Sequence, residues 1–407
     1  VFPYEPTREH MVDLVVSREF EEYMDGLPTK VFVEELVKPV RAITDRQGKG
    51  WRSMGLLFAS SVVGGEAATL ERYTSFPEFL HTGSLIIDDI QDNSALRRGG
   101  PCAHISYGLP TAINAGTAAY FLGEGITREQ EGLTEAQRLR VYELYFTCLR
   151  GAHVGQALDI HGLGHMLDGC VASRDFEPMW SALCCCHRLK SGLPASVCAR
   201  TGAVLGRATP AQESALGDYF LSLGLAFQIL DDVINLQGFG KSLKTKAEDL
   251  IEGKITAPVI RCLMALKDSP TERDWLLGQY RVAADARDVG GMVALIERLG
   301  ALQKPHVHKL FYDSPVDARA LRSDVDTLSY LGCDFSTEGQ YEQPAAFCLM
   351  GGPRIGFTNP DQELAQLSRA TRAINRLRPP LVFVLGTFAT TSENRVLFRK
   401  AMARVSE

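Results

Sequence analysis

Three aspartates, Asp88, Asp89 and Asp92, lie close together in the segment HTGSLIIDDIQD. In a helix, Asp88 and Asp92 lie one turn apart on the same face, and Asp89 lies beside them. Carboxylates held this close repel one another unless water or a divalent cation neutralises them. Mg²⁺ takes oxygen ligands and often binds one or two carboxylates together with substrate phosphates. The spacing therefore suits a magnesium site, and its alternative is a solvated acidic helix end.

Two arginines, Arg97 and Arg98, follow the acidic helix almost at once. The guanidinium group is planar and binds phosphate through paired hydrogen bonds. Acidic and then basic groups at the end of an apolar helix suggest a diphosphate that is bridged by magnesium. The apolar residues 85–87 lead directly into the acids and place them against a core, which disfavours the solvated helix end. A second acidic site is needed before the magnesium hypothesis is preferred.

The second acidic site is the segment GLAFQILDDVIN, in which Asp231 and Asp232 end an apolar helical pattern. Gln228 lies about one turn before the two acids, and Asn235 lies about one turn after them. Two such helices facing each other would form a carboxylate-lined mouth able to hold several Mg²⁺ ions around one diphosphate. The lysines that follow would alone be typical of a solvated surface, but after an acidic site they favour phosphate binding: Lys241, Lys244, Lys246 and Lys254.

Composition restricts the class of protein. The chain has 407 residues, is 45% hydrophobic and 23% charged, and carries a formal net charge of −6. This is ordinary globular composition, without the basic excess of proteins that bind nucleic acid. The ten cysteines show no CxxC spacing, and the run of three at 184–186 suits a reduced, buried helix better than a disulfide framework or a zinc site.

The sequence shows no apolar run long enough to span a bilayer and no secretory signal. These observations favour a cytoplasmic protein without a transmembrane segment. The sequence begins with Val1 rather than methionine, so an organelle-targeting peptide that precedes it would not be seen.

Helix-like periodicity continues to about residue 335, and almost nothing before that point alternates with a period of two. The sequence therefore predicts an all-α domain over residues 1–335, with the two acidic segments on helices at 75–96 and 210–237. A polar linker at 332–344 follows. After it the pattern becomes strand, helix, strand, helix, which predicts a small α/β appendage over residues 345–407.

Seven motifs occur in a fixed order between residues 48 and 260: GKGWR, LHTGSLIIDDIQDNSALRRG, YFLG, HVGQALDI, LKSG, FQILDDVIN and EDLIEGKITAPVI. In this order they resemble the trans-isoprenyl diphosphate synthases, most closely the eukaryotic geranylgeranyl diphosphate synthases. The resemblance implies an isoprenoid-synthase helical bundle around a central apolar cavity, a homodimer, and Mg²⁺ as the cofactor. It also implies a prenyltransferase that joins isopentenyl diphosphate to an allylic diphosphate and releases pyrophosphate.

The resemblance further implies roles for individual residues. The magnesium ligands would be Asp88, Asp92 and Asp231. The catalytic set would add Asp89, Asp232 and Lys190 to these three acids. The allylic diphosphate would be held by Arg97, Lys190, Ser191, Gln228, Lys244 and Lys254. Isopentenyl diphosphate would be bound by Lys49, Arg52, His81 and Arg98.

The chain departs from the pattern of this family in three places. The usual GGKRxRP reads GKGWRS here, so Gly50 and Ser53 replace an arginine and a proline. The second acidic motif ends in Asn235 rather than aspartate. The lysine-rich loop aligns ambiguously, which leaves open whether Lys244 or Lys246 meets the phosphate.

Small residues one turn before the first acidic pair bear on product length. Gly83 and Ser84 leave the wall of the expected cavity open, whereas an aromatic side chain there would stop the growing tail. Further down, Tyr120, Phe121 and His153 could form a floor, which favours a C20 product made from farnesyl diphosphate. Simple core packing is the alternative for these three side chains, and farnesyl or longer polyprenyl products stay open.

Other classes of protein fit the sequence less well. A non-catalytic synthase subunit would be expected to have lost acids or arginines, and both acidic pairs and both arginines are present. A class I terpene cyclase shares an aspartate-rich helix, but the implied isopentenyl diphosphate set would then have no purpose.

The appendage weakly resembles the start of a calcineurin-like metallophosphoesterase. That family carries a metal-binding aspartate at each strand end, and Gly352 and Thr387 occupy those places here. A two-metal site cannot form without its carboxylates. We therefore expect a degenerate, partial appendage without chemistry of its own, and a phosphoesterase is disfavoured.

Overall fold

The computed structural model describes residues 5–46, 48, 50–237 and 247–300, together with the backbone of two strands at 347–351 and 381–385. The chain divides into two compact units, Val1–Leu302 and Gln303–Glu407. The predicted boundary of the helical domain, at 335, lies outside the described residues and stays a prediction.

The described part of the first unit is almost entirely helical, which confirms the all-α prediction. A π-helical turn (Val33–Val37) joins α2 to α3, and a second one (Arg188–Gly192) joins α11 to α12. The α-helices are α1 (Arg8–Val15), α2 (Thr29–Phe32), α3 (Lys38–Thr44), α4 (Trp51–Val62), α5 (Ser75–Gln91), α6 (Ala103–Tyr107), α7 (Leu109–Leu122), α8 (Glu124–Glu129), α9 (Glu135–His161), α10 (Leu167–Ser173), α11 (Glu177–His187), α12 (Leu193–Leu205), α13 (Pro210–Gln237), α14 (Glu248–Glu252), α15 (Ala257–Ala265), α16 (Pro270–Gln279) and α17 (Val289–Arg298).

Local sequence explains where the long helices begin. A capping box opens α9, since the Thr134 hydroxyl accepts from the Gln137 amide and the Gln137 side chain accepts from the Thr134 amide. Proline in the first turn marks the start of α7, α11, α12 and α15, where its missing N–H costs no hydrogen bond. Buried side chains of α7, α9 and α12 pack into one hydrophobic core together with those of the N-terminal helices.

Glycine allows two helices, α9 and α13, to pack closely around the second π turn. A Cβ added at Gly155 of α9 would lie 2.5 Å from the Lys190 amide nitrogen. One added at Gly224 of α13 would lie 2.8 Å from both the Gly192 Cα and the Ser191 carbonyl oxygen. The turn is therefore enclosed between α9 and α13, and its side chains are brought next to the acidic end of α13.

The first acidic helix is shorter than predicted. Periodicity extended it to residue 96, but α5 ends at Gln91 and Asp92 is its C-cap. A two-residue antiparallel hairpin follows, formed by β1 (Leu96–Arg97) and β2 (Gly100–Pro101). Arg98 and Gly99 form its turn with φ of 51° and 76°, the left-handed backbone that tight hairpin turns require.

Two strands are described in the second unit, β3 (Phe347–Gly351) and β4 (Leu381–Leu385). They pair in parallel, with Phe347 opposite Leu381. The two strand predictions of the appendage are thereby confirmed. The helices predicted at 316–331, 361–377 and 394–405 lie outside the described residues.

One helix in the described part of the chain, α13, is long and apolar enough over Pro210–Leu236 to resemble a membrane span by length and composition. It packs against α12 inside the bundle, and it ends in the buried side chains of Asp232 and Asn235. These contacts are those of a core helix in a globular domain.

Candidate active site

The acidic end of α5 lies against α9 and the second π turn. The Lys190 ammonium donates to Asp88 Oδ1 at 3.0 Å and to Asp159 Oδ2 at 2.6 Å. The Gln156 amide donates to the same Asp88 oxygen at 2.8 Å. Asp159, from α9, therefore joins the predicted acids around one lysine.

These contacts fix the charges of the two partners. Burial alone would raise the pKa of the Asp88 carboxyl, but Lys190 and Gln156 hold it below its ordinary value. Burial alone would lower the pKa of Lys190, and the charges of Asp88 and Asp159 raise it instead. Both groups are therefore ionised at neutral pH.

Asp92 has a lysine partner of its own. The Lys254 ammonium donates to Asp92 Oδ1 at 2.9 Å and lies 3.1 Å from Glu252 Oε2. Lys254 belongs to the segment that follows α13, and it lies 162 residues after Asp92 in the sequence. The structure thus brings the predicted lysine of the second acidic region onto the first acidic helix.

Asp89 does not face the mouth. Its side chain is fully buried, and one of its oxygens accepts from both Nε (2.7 Å) and Nη2 of Arg97. Neighbouring residues on a helix point about 100° apart, so turning Asp88 outward sends Asp89 inward. In the structure Asp89 supports Arg97, whose Nη2 also lies 3.8 Å from Asp88 Oδ2, and the catalytic role of Asp89 stays a prediction.

The second acidic pair divides in the same way. Asp231 is half-buried, whereas Asp232 is buried. Asp232 Oδ2 accepts from His187 Nε2 and from the Ala257 amide, both at 3.1 Å. These contacts hold Asp232 in the core, and the catalytic roles of Asp231 and Asp232 stay predictions. In the same region the Ser191 hydroxyl donates to Gln228 Oε1 at 2.6 Å.

The residues expected to bind isopentenyl diphosphate form a separate basic cluster, made of Arg52, His81 and Arg98. Burial lowers the pKa of both arginines. Burial lowers the pKa of His81 well below its ordinary value, and the charges of Arg52, Arg98 and Arg97 add to that effect. His81 is therefore neutral at pH 7, between guanidinium groups that repel a further positive charge.

The basic cluster is connected to both acidic helices, because His81 belongs to α5 and Arg52 reaches α13 through Trp51. Trp51 stacks on Phe227 of α13, with ring centroids 5.2 Å apart, and the Arg52 guanidinium lies 4.8 Å from the Trp51 centroid. A Cβ added at Gly48 would lie 2.7 Å from Arg98 Nη2, so the glycine leaves room for that guanidinium. Two further predicted residues, Lys49 and Lys244, lie outside the described residues.

The predicted chain-length residues have different surroundings. Gly83 is closely packed, because a Cβ there would lie 2.6 Å from the Gly116 carbonyl oxygen of α7. Its small size is required by helix packing, which corrects the prediction that it opens a cavity. Ser84 is exposed and donates to the His81 carbonyl at 2.8 Å. Of the two small residues, Ser84 alone therefore supports the prediction of an open cavity wall.

Of the three side chains predicted to form the floor of the cavity, two are in contact with each other. Tyr120 and His153 meet edge to face, with ring centroids 5.3 Å apart. Burial and the nearby Asp88 charge raise the pKa of Tyr120 to about 12, so its hydroxyl stays protonated close to the acidic mouth. Phe121 is 59% exposed and closes no cavity within one chain.

The carboxylates of Asp88, Asp92 and Asp231 are the candidate ligands for a metal ion. Among the residues that the structure describes, no group of three or more acidic, histidine or cysteine side chains could hold a metal ion. A cation that takes one or two carboxylates and completes its coordination with water and phosphate oxygens needs no such group. Asp88, Asp92 and Asp231 offer single carboxylates of this kind, so their chemistry fits Mg²⁺ bound together with a diphosphate.

Sequence reasoning did not single out His187 or the contact of Gln156 with Asp88. For Gln156 a signal exists, since it lies three residues before Asp159 on α9 and beside the close contact at Gly155. For His187 no local pattern points to Asp232, because the two are 45 residues apart and meet only through packing.

Comparison with known proteins matches residues 33–296 to the family model of polyprenyl synthetase. The short chain isoprenyl diphosphate synthase of Methanothermobacter thermautotrophicus is 30% identical over 275 residues, which are 67% of this chain and 80% of that protein. The geranylgeranyl pyrophosphate synthase janG of Penicillium janthinellum is 34% identical over 197 residues. The match spans about half the length of this fungal relative, at 47% of each chain.

The solved structures agree on the fold. The geranylgeranyl pyrophosphate synthase from Corynebacterium glutamicum, solved with isoprenyl diphosphate and magnesium, has a TM-score of 0.58 and 22% identity. The match covers 78% of this chain and 96% of that chain. At this identity the likeness concerns the all-α architecture.

Proposed function

The chain belongs to the polyprenyl synthetase family of trans-prenyl diphosphate synthases, and we propose that it condenses isopentenyl diphosphate with an allylic diphosphate in a magnesium-dependent reaction. The product would be a longer trans-prenyl diphosphate, with pyrophosphate released. The substrates, the metal and the product are the proposal.

One observation carries the proposal: a half-buried basic cluster lies close to both acidic helices, since His81 belongs to α5 and the charge of Asp231 on α13 acts on the pKa of Arg52. Arg52 lies in this cluster without an acidic side chain within ion-pairing distance among the described residues. A guanidinium group that is partly withdrawn from water without such a partner is costly unless an anion neutralises it. A diphosphate supplies that charge, and the acids beside it supply ligands for the metal ions that a second diphosphate needs.

The residues of the mouth then have separable tasks. Lys190, Lys254 and Arg97 would bind and orient the allylic diphosphate, and their charges would stabilise the negative charge that grows as it leaves. Mg²⁺, when bound by Asp88, Asp92 and Asp231, would add further positive charge to the same leaving group. These fixed charges would favour departure of the diphosphate.

The basic cluster would hold the second substrate. Arg52 and Arg98 would bind the isopentenyl diphosphate and direct its double bond toward the allylic carbon. Because His81 is neutral, it would donate a hydrogen bond without adding a charge near the carbon that becomes cationic. The apolar face of α5 would exclude water, which would otherwise react with that carbocation.

We propose a C20 product made from farnesyl diphosphate. Several relatives are named geranylgeranyl synthases, and Ser84 is small and exposed one turn before Asp88. Ser84→Phe should then shorten the main product to C15, which chromatography of the dephosphorylated prenols would detect. An unchanged C20 product would show that the tail grows along another path.

We also propose that the enzyme is a homodimer that works in the cytoplasm. Exposed apolar side chains on α7 and α9 would be covered by a second copy, which favours the dimer: Ile113, Phe121, Phe146, Val154, Leu158 and Ile160. Sedimentation equilibrium tests the assembly, and a monomer at micromolar concentration would contradict it.

The activity is tested by incorporation of radiolabelled isopentenyl diphosphate with C5, C10 and C15 allylic primers. We expect Mg²⁺-dependent incorporation with at least one primer, and the largest rate with the C15 primer. Absence of incorporation with every primer would reject catalysis and leave the non-catalytic subunit as the better interpretation.

A further inference from the structure

His187 and Asp232 form a buried ion pair that the motif comparison does not assign. His187 is the last residue of α11, and the next residue begins the π turn that carries Lys190 and Ser191. Both side chains of the pair are 6% exposed, and the two atoms that meet, His187 Nε2 and Asp232 Oδ2, are 3.1 Å apart. The pair thus lies directly behind two segments of the proposed diphosphate site.

One carboxylate oxygen of this pair joins three helices. Asp232 Oδ2 accepts from His187 at the end of α11 and from the Ala257 amide at the start of α15. Burial alone would lower the pKa of His187, but Asp232 raises it to about 10, so the histidine is positively charged at neutral pH. The charge of each partner is therefore neutralised within the core.

The pair lies one residue from Asp231, a proposed magnesium ligand. Asp231 precedes Asp232, and the two side chains point about 100° apart on α13. The close approach at Gly192 and Gly224 sets how near the turn and α13 come, but backbone contact alone does not fix the rotation of a helix about its axis. A hydrogen-bonded side chain on the inward face adds a directional restraint on that rotation.

We propose that His187 is a positioning residue: by holding Asp232 in the core, it orients α13 and the second π turn so that Asp231 and Lys190 address the same diphosphate. The inference rests on the proposed function, because it concerns the geometry of that site. Among the described residues, His187 bonds to Asp232 and to none of the proposed magnesium ligands. Displacement of a reacting group by about 1 Å can cost on the order of 100-fold in rate, so loss of the pair should be measurable.

Three variants test the inference. His187→Leu removes the donor and keeps the volume apolar, whereas His187→Gln keeps an N–H near the position of Nε2. Asp232→Asn removes the buried carboxylate charge together with the ion pair. It replaces His187→Leu as the test variant if His187→Leu does not fold. Met179→Leu is the matched control, because Met179 is buried on the same helix and is absent from the pair.

Two quantities are measured for each variant: kcat with saturating substrates, and the Kd of inorganic pyrophosphate in the presence of Mg²⁺ by titration calorimetry. We expect His187→Leu and Asp232→Asn to lower kcat about 10- to 100-fold and to weaken pyrophosphate binding at least 5-fold. The KM for isopentenyl diphosphate should change less than 3-fold, since the basic cluster lies on other elements. His187→Gln and Met179→Leu should stay within 3-fold of the parent protein.

A merely structural role gives a different result. Partial unfolding would lower kcat through the active fraction while the Kd of pyrophosphate stayed unchanged, and that outcome would overturn the inference. So would a His187→Gln variant as impaired as His187→Leu. If the parent protein itself shows no incorporation, the proposed function fails first, and the pyrophosphate titration alone then decides whether His187 orients the site.

Discussion

At the scale of single residues, burial decides which groups around the mouth carry charge. Lys190 and Asp88 are both half-buried, and each keeps its charge because the other is within 3.0 Å. His81 has the opposite surroundings, since its charged neighbours, Arg52 and Arg98, are also cationic. The same degree of burial therefore gives an ion pair in one place and a neutral histidine in the other.

The neutral state of His81 has a consequence for stability. Below its ordinary pKa of 6.5 the unfolded chain binds a proton at this histidine, whereas the folded chain does not. The stabilising contribution is therefore complete above about pH 6.5 and is lost as the pH falls toward the lower folded pKa, by at most about 1.4 kcal/mol per pH unit. His81→Gln should flatten the decline of the unfolding free energy between pH 7 and pH 5.

Urea unfolding at a series of pH values measures this slope. His165→Gln is a suitable control, because that histidine is exposed at the surface. It should leave the slope as in the parent protein. An equal slope in the parent and in His81→Gln would show that His81 takes up a proton in the folded state after all.

The residue types of the site could be predicted from the sequence, but their directions could not. The motifs identify both acidic pairs, yet a linear pattern does not say which of two adjacent acids faces outward. Asp89 and Asp232 point inward because their partners, Arg97 and His187, come from other parts of the chain. Only packing brings those partners into contact.

At the scale of elements, close helix contacts position the mouth. α5 meets α7 at Gly83 and Gly116, where a Cβ on Gly83 would lie 2.6 Å from a backbone oxygen. Backbone cannot move aside as the end of a flexible side chain can. The two helices are therefore close enough for the charge of Asp88 to raise the pKa of Tyr120 on α7.

This contact predicts opposite effects for the same substitution at two helical glycines. Gly83→Ala should lower the unfolding free energy by about 1–3 kcal/mol, because the new methyl group overlaps α7. Gly169→Ala should raise it by about 0.5–1 kcal/mol, since a Cβ at Gly169 of α10 meets nothing within 4 Å and alanine favours the helix.

Denaturant unfolding monitored by circular dichroism measures both changes. Equal effects of the two substitutions would contradict the packing role of Gly83. In that case the prediction that Gly83 lines an open cavity would have to be restored.

Most elements could be predicted from periodicity, and their ends could not. α9 and α13 are bounded within a residue or two of the predicted limits, since long apolar stripes and caps define them. α5 is shorter because the hairpin at Arg98 and Gly99 needs left-handed backbone that periodicity does not report. The sequence RRGG carries that signal, and reading it as a turn would have corrected the boundary.

At the scale of the whole molecule, chemistry is concentrated in the first unit. Every contact of the mouth described above lies within Val1–Leu302, and the family match ends at residue 296. The second unit contributes the parallel pair β3 and β4, with Gly351 at the end of the first strand. Its predicted resemblance to a metallophosphoesterase remains a sequence-based expectation.

Removal of residues 345–407 should therefore leave catalysis intact. We expect kcat and the KM of both substrates to stay within about 3-fold of the full chain, because none of the residues assigned to the mouth is removed. Steady-state kinetics on the shortened chain measures this. A decrease in kcat larger than about 10-fold with an unchanged melting temperature would show that the appendage contributes to catalysis.

The central claim is that the two acidic helices serve one diphosphate site. Its most direct test is the single-turnover rate of isopentenyl diphosphate incorporation in Asp88→Asn and Asp231→Asn, with Asp168→Asn as an exposed control paired only with Arg281 among the described residues. The account predicts that each of the first two variants loses at least about 100-fold in rate, while the control keeps the parent rate. Parent-like turnover in either Asp88→Asn or Asp231→Asn would contradict it.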